Sequence, residues 1–200
     1  MKKIFLSIIL ALLMCMPMVA QDRTLPAPRT NGGIPLMDAI AKRHSSREFK
    51  NTLSLSNQQL SDLLWATCGY NRPGKRTVAS AMNKQEMSAY VITPQAVYKY
   101  DPTANKLVLV NSGDFRHACS LQDFARNADL NIALVADLDL QPNEVYAGMT
   151  MGAMSENIYL WCASQNMNTV GRASFDKDAL TKALNLKSSE KVMLVQTVGK

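Results

Sequence analysis

Most of the familiar catalytic signatures are missing from this chain of 200 residues. It holds no G-x-S-x-G elbow, no H-E-x-x-H pair, no P-loop and no G-x-G-x-x-G turn. Histidine is scarce: His44 and His117 are the only two, so no metal site is expected. Cysteine is thin as well. Four cysteines with no C-x-x-C pair make neither a zinc site nor a disulfide framework. A cysteine–histidine hydrolase would need Cys68, Cys119 or Cys162 beside one of the histidines. The simpler reading makes these three cysteines small buried hydrophobes. The excess of positive charge is mild, 22 Lys and Arg against 16 Asp and Glu, or +6. With no run of five basic residues, a nucleic-acid stripe is excluded. Beyond Gln21 no apolar run approaches the ~18 residues that a membrane-spanning helix needs.

What is present begins with an address. Residues 1–20, MKKIFLSIILALLMCMPMVA, place two lysines before an apolar stretch and end on a small residue. This is the anatomy of a bacterial secretory leader cleaved between Ala20 and Gln21, and it predicts an exported, periplasmic protein. Met14 is not the small residue that an acylated lipoprotein cysteine requires, so Cys15 reads as unlipidated. With 47% hydrophobic and 19% charged residues, the rest can bury a real core.

Residues 21–33 carry two prolines and two glycines and read as an extended arm; residues 34–200 read as a single domain. A helix starts at Ile34-Pro35, with Leu36, Met37, Ile40 and Ala41 as its buried stripe. Ser56-Asn57-Gln58-Gln59 is a capping box before a helix that buries Leu60, Leu63, Leu64 and Thr67 and closes at Gly69. Strand periodicity follows over 88–93, 96–100 and 106–110, with a turn at 101–105. A short helix over 115–126 precedes a buried strand at 131–136. From about Asn143 to Gln165 the pattern is helical but apolar nearly all round, Glu156 being the one formal charge after Val145. A helix without a polar face is buried on several sides, and in a chain this small that points to a second copy covering one of them. A last helix, 176–186, and a last strand, 191–198, complete an α+β order: a central, mostly antiparallel sheet flanked by helices.

Three polar clusters interrupt this frame. Arg43-His44-Ser45-Ser46-Arg47 sets two guanidiniums four residues apart with hydroxyls between them, a donor set suited to a phosphate dianion. Alone, it also suits a solvated helix end. Ala79-Ser80-Ala81-Met82-Asn83-Lys84-Gln85 offers short donors and acceptors that can satisfy the edge of a flat heteroaromatic ring, or simply solvate a connection. Thr169-Val170-Gly171-Arg172 follows the apolar helix, with Gly171 permitting close approach.

In this order and spacing the clusters resemble the nitroreductase family of FMN-dependent oxidoreductases. Arg43-His44-Ser45-Ser46-Arg47-Glu48-Phe49 resembles its arginine-x-serine-x-basic motif. Residues 79–85 resemble its proline-serine-x-x-asparagine-x-glutamine loop, and Gly152 to Leu160 the start of its central helix. The resemblance implies a homodimer with each FMN in a groove between subunits. It assigns Arg43, Ser45 and Arg47, with His44 beside them, to the phosphate and ribityl chain. Ser80, Asn83 and Gln85 fall to the isoalloxazine, and Gly171 and Arg172 to the far side. Lys200 stands in for a basic residue that many members carry further on. Departures are visible: Ala79 replaces a proline, Glu86-Met87 a proline–aromatic pair, and Asn166 and Asn168 replace glycines. The implied activity is ping-pong electron transfer from a reduced donor, NAD(P)H by family default, to a nitro, quinone or similar small acceptor. An exported chain seldom meets NAD(P)H, so a quinol or redox partner remains an alternative donor. An exported flavin- or ligand-binding dimer without turnover is the alternative function, and an exported structural dimer without cofactor a third.

Overall fold

The computed structural model describes residues 20–50 and 55–200; the leader reading, Cys15 included, lies outside them. Seven strands form one sheet: β1 (Arg23–Thr24), β4 (Met87–Ile92), β5 (Ala96–Asp101), β6 (Lys106–Ser112), β7 (Leu130–Asp137), β8 (Asn168–Arg172) and β9 (Glu190–Gly199). Their order is β1-β6-β5-β4-β7-β9-β8, and every pairing is antiparallel. A separate hairpin pairs β2 (Tyr70–Arg72) with β3 (Lys75–Arg76). Four α-helices are described: α1 (Leu36–Lys42), α2 (Asn57–Cys68), α3 (Glu144–Ser164) and α4 (Lys177–Ala183). The class is α+β, as the element order implies.

The strands alternate to feed two cores. Ala89, Val91, Ile132 and Leu134 face one way and bury Leu60, Leu63 and Leu64 of α2 with Met154 and Ile158 of α3. Their neighbours Tyr90, Ile92, Ala133 and Val135 face the other way, against Leu180 of α4, Leu184 and Phe175. β7 lies in the middle with both faces covered, so its sequence is a continuous apolar run rather than an alternating one. Leu63 is wholly buried, and truncation to alanine would cost about 2–5 kcal/mol.

The capping box forms as its sequence demands: Gln59 N–H donates to Ser56 Oγ at 3.2 Å, and Ser56 N–H to Gln59 Oε1 at 3.1 Å. Asn143 caps α3 through Val145 N–H at 3.0 Å, which aligns the start of the long helix. The arm is extended, but not loose. It adds β1 to the sheet, buries Leu25, and is strapped to α2 by an Arg29–Asp62 ion pair at 2.7 Å.

Three expectations need correction. The apolar stripe of α1 is not buried within the chain: Ala39 packs inward, while Met37 is 71% exposed and Leu36, Ile40 and Ala41 also face out. Periodicity defines a face but not what covers it. The helix over 115–126 is instead two short 3₁₀ turns, Arg116–Cys119 and Asp123–Arg126. Residues 168–172, treated as a cluster after the helix, form edge strand β8. Cys68, Cys119 and Cys162 are free and buried, as small hydrophobes should be.

Candidate functional site

Sheet geometry brings the first and third clusters together. Residues 43–50 leave α1 without regular structure and run along the outer edge of β8. Ser46 N–H donates to Thr169 O at 3.0 Å, Asn168 Nδ2 to Glu48 O at 2.7 Å, and Lys50 N–H to Lys200 O. The edge strand is thereby covered, and its free backbone groups are used to position the arginine–serine motif. Phe49 pins the far end of that motif by stacking on Phe124 at 6.0 Å. A Cβ on Gly199 would stand 3.1 Å from the Phe49 ring and 2.9 Å from Asp129 N, so only glycine fits where this segment meets β9.

Tyr159 of α3 is the residue that ties these pieces together. Its hydroxyl oxygen accepts Gly171 N–H at 2.9 Å and lies 2.9 Å from Ser45 Oγ. Its ring carries the Arg43 guanidinium at 5.0 Å from the centroid. Either hydroxyl can supply the proton between them, because the phenol oxygen has room to accept from both Gly171 and Ser45. Ser45 is exposed, so its hydroxyl keeps hydrogen-bonding capacity toward solvent. The chain from Gly171 N–H through Tyr159 to Ser45 ends in an exposed hydroxyl, with Arg43 over the Tyr159 ring and Arg47 two residues further on. That is a cradle for an anion.

Gly171 serves a second approach. A Cβ there would lie 3.2 Å from Leu194 Cδ2 and 3.3 Å from Ser155 Oγ, so its absence lets α3 pack close on β8 and β9. Ser155 Oγ donates to Gln196 Oε1 at 2.8 Å, and Asn157 Nδ2 to Ala66 O at 2.8 Å. The polar residues of the Gly152–Leu160 segment thus clamp the helix to its neighbours and hold Tyr159 in place.

The remaining residues of this group lie around the cradle. Arg47 and His44 are exposed, with His44 Nδ1 2.8 Å from Lys42 O. Arg172 is turned inward. Its guanidinium reaches Thr197 Oγ1, Cys119 O at 2.8 Å and Asn131 Oδ1 at 3.2 Å, and sits 4.9 Å from the Phe124 ring centroid. Burial, with a smaller contribution from the positive charge of Arg47, pushes Arg172 down to about 10. Lys200 is exposed at the end of β9, its carbonyl bonded to Lys50.

The second cluster forms a unit of its own. Gln85 N–H donates to Ser80 Oγ at 2.9 Å, and Gln85 Nε2 to Gly74 O at 2.9 Å and Asn83 Oδ1 at 3.2 Å. Asn83 Nδ2 also reaches Gly74 O at 3.2 Å, and Tyr70 O–H donates to Gln85 Oε1 at 2.9 Å. The loop is thus moulded against the β2–β3 hairpin. Met82, Asn83 and Gln85 all hold positive φ, at 52°, 56° and 52°. Such conformations cost non-glycine residues about 1–2 kcal/mol each, and they persist where the surroundings over-determine them. No hydrogen bond joins this loop to the Tyr159 cradle among the described residues.

Sequence reasoning missed Tyr159, Tyr70 and Phe124. For Tyr159 a signal existed. Ser155, Asn157 and Tyr159 are polar interruptions of an apolar helix, and Ser155 and Tyr159 share one face at i, i+4 spacing. Nothing in the sequence marks Phe124 as the partner of Phe49.

The class these elements define is an α+β protein with one antiparallel sheet, a donor-rich cluster on its edge strand and a polar loop moulded on a separate hairpin. The particular family follows from comparison. The profile of the nitroreductase family matches residues 40–200, and the chain belongs to that family and to its oxidoreductases. A provisionally named nitroreductase of Methanocaldococcus jannaschii is 27% identical over 184 residues, covering 84% of this chain and 91% of its own. A crystal structure of a provisionally assigned nitroreductase from Ralstonia eutropha superposes with a TM-score of 0.85 at 35% identity, covering 92% of this chain and 91% of that one. A Desulfovibrio desulfuricans protein of the same fold, crystallised in complex with FMN, gives a TM-score of 0.63 at 20% identity, covering 84% and 87% of the two chains.

Proposed function

We propose that this protein is an FMN-dependent, homodimeric oxidoreductase that takes electrons from a reduced small-molecule donor and passes them to a nitro, quinone or similar acceptor. The observation that carries this reading is the Tyr159-centred cradle. Ser45 presents an exposed hydroxyl, with Arg43 over the Tyr159 ring and Arg47 two residues further along the chain. This donor set fits a phosphate monoester dianion. Arg172, half-buried and bonded to protein acceptors, adds positive charge without needing direct contact. Ser80, Asn83 and Gln85 keep amide and hydroxyl groups at a loop whose shape is fixed by the hairpin, and these suit the edge of an isoalloxazine. Lys200 and His44 lie within the same margin as further donors. Bound there, FMN supplies two-electron transfer between donor and acceptor visiting the groove in turn. The protein's own part is to bind the phosphate, orient the ring and shield it from water.

The cradle and the loop share no hydrogen bond among the described residues, and most of the exposed large apolar side chains lie on α1 and the start of α3. Leu36, Met37, Ile40, Val145, Tyr146 and Met149 are all exposed, Met149 by 66%. A patch of that kind marks an interface. A second copy seated on it covers α1 and α3, in keeping with the all-round apolar pattern of α3, and completes a groove between subunits. The leader at residues 1–20 directs this dimer out of the cytoplasm, where a quinol or redox partner is a more accessible donor than NAD(P)H. Anaerobic addition of NADH, NADPH or a quinol to the FMN-loaded protein tests the reading. Bleaching of the flavin by one of them, followed by recolouring with a quinone, is the expected result. A flavin that no donor reduces would favour a binding dimer without turnover.

A further inference from the structure

The β2–β3 hairpin carries more positive charge than a turn needs. Arg72, Lys75 and Arg76 fall within five residues, and Lys84 follows on the adjoining loop. A cleft of about 510 Å³ opens beside them, walled by Arg72, Lys75, Arg76, Thr77, Ser80 and Asn83. None of the residues walling it is acidic. None of the four cations forms an ion pair among the described residues, whose pairs involve Arg29, Lys99, Lys106, Arg116 and Lys191 instead. Glu86, the nearest acidic residue in sequence, is buried and pairs with none of them. Arg76 is half-buried. One of its terminal nitrogens donates to Met87 O at 2.6 Å and its guanidinium lies over Tyr70, while its Nε is buried without a partner among the described residues. Like charges gathered without a counter-charge repel, and a cleft lined by one sign of charge concentrates ions of the other.

We propose that this cleft seats the anionic group of the electron donor or acceptor, so that the substrates of the ring-edge loop are phosphates, sulfonates or carboxylates rather than neutral molecules. The proposal rests on the flavin reading above. The cleft shares Ser80 and Asn83 with the loop assigned to the ring edge, so an anion seated on Arg72, Lys75 and Arg76 lies beside the ring-facing wall. It is separate from the Arg43–Ser45–Arg47 cradle, which belongs to the cofactor's own phosphate.

The test uses the full FMN-loaded protein, with its flavin photoreduced anaerobically by EDTA as sacrificial electron source, so that no enzymatic donor is needed. Reoxidation is followed with 1,4-naphthoquinone and with its 2-sulfonate, for the wild type and for the double variant Arg72→Ala with Lys75→Ala. The expected result is that the ratio of sulfonate to neutral rates falls about tenfold in the variant, the equivalent of one or two lost charge contacts. In the wild type that ratio falls with added salt. The exchange Arg72→Lys with Lys75→Arg should restore it. Reduction by NADPH against NADH gives the second arm: a loss confined to NADPH places a donor phosphate in the cleft, and a loss confined to the sulfonate places an acceptor there. A ratio unchanged by the variant in both arms overturns the proposal, and so does a variant that loses FMN, since that assigns the cleft to the cofactor. If the protein takes up no flavin at all, the flavin reading fails by itself. Calorimetric titration with naphthoquinone sulfonate then still decides: binding lost in the double variant supports an anion site, and no binding to the wild type refutes it.

Discussion

Replacing Tyr159 by phenylalanine removes one oxygen and leaves the ring under Arg43 in place. Two consequences follow from the structure. Gly171 N–H loses its acceptor at 2.9 Å in a half-buried position, a loss worth about 1–1.5 kcal/mol. Ser45 loses the hydroxyl partner that fixed its own hydroxyl, so part of a charge-assisted contact of about 1.5–3 kcal/mol is given up as the rotor is freed. Together these predict FMN binding weaker by about 1–2 kcal/mol, or roughly 5- to 30-fold. The effect acts through the phosphate, so riboflavin, which has none, should bind the variant and wild type about equally. The assay is flavin fluorescence quenching with FMN and riboflavin in parallel, for wild type, Tyr159→Phe, Ser45→Ala and the double variant. The two substitutions should be strongly non-additive for FMN, because they break one chain of hydrogen bonds. Equal weakening of FMN and riboflavin would refute the reasoning, since Tyr159 would then be supporting the ring or the fold instead.

Other expectations follow from the same geometry. The double change Arg43→Ala with Arg47→Ala should cost about 3–6 kcal/mol in FMN affinity and far less for riboflavin, with circular dichroism unchanged. Burial pushes the thiols of Cys68 and Cys119 from 9.0 up to about 11 and about 12, and that of Cys162 up as well. A raised value means that the folded state keeps protons which the unfolded chain releases. Stability from these thiols is therefore complete below pH 9.0 and drains as pH climbs toward the folded values, which urea titrations across that window would record. Met82 holds φ at 52° with its side chain 80% exposed, so Met82→Gly should raise the melting temperature of the flavin-free protein by a few degrees. An unchanged or lower melting temperature would mean that the loop carries no relievable strain there.

Much of this fold was legible because burial leaves a period. The alternation through Ala89, Tyr90, Val91 and Ile92 follows from a strand covered on both faces, and the unbroken run of β7 from its place in the middle of the sheet. The capping box was legible because its two side chains satisfy backbone groups only three residues away. What stayed hidden depends on partners distant in sequence. The apolar residues of α1 form a stripe whether a helix of the same chain or another copy covers it. The β2–β3 hairpin is short, polar and charged, with no apolar period to betray it. β8 is five residues interrupted by a glycine, and its identity comes from pairing with β9. At the site, the three clusters could be named from local composition, but their arrangement could not. That Arg172 turns inward to Cys119 and Asn131, and that Tyr159 joins Ser45 to Gly171, are facts of packing between residues 12 to 114 positions apart.

The visible absorbance spectrum of the mature protein, purified after incubation with excess FMN and gel filtration, bears most directly on the central claim. The account predicts a flavin spectrum with about one FMN per chain, carried by a species whose light-scattering mass is that of a dimer. A colourless protein after that treatment, with its fold intact by circular dichroism, would contradict it.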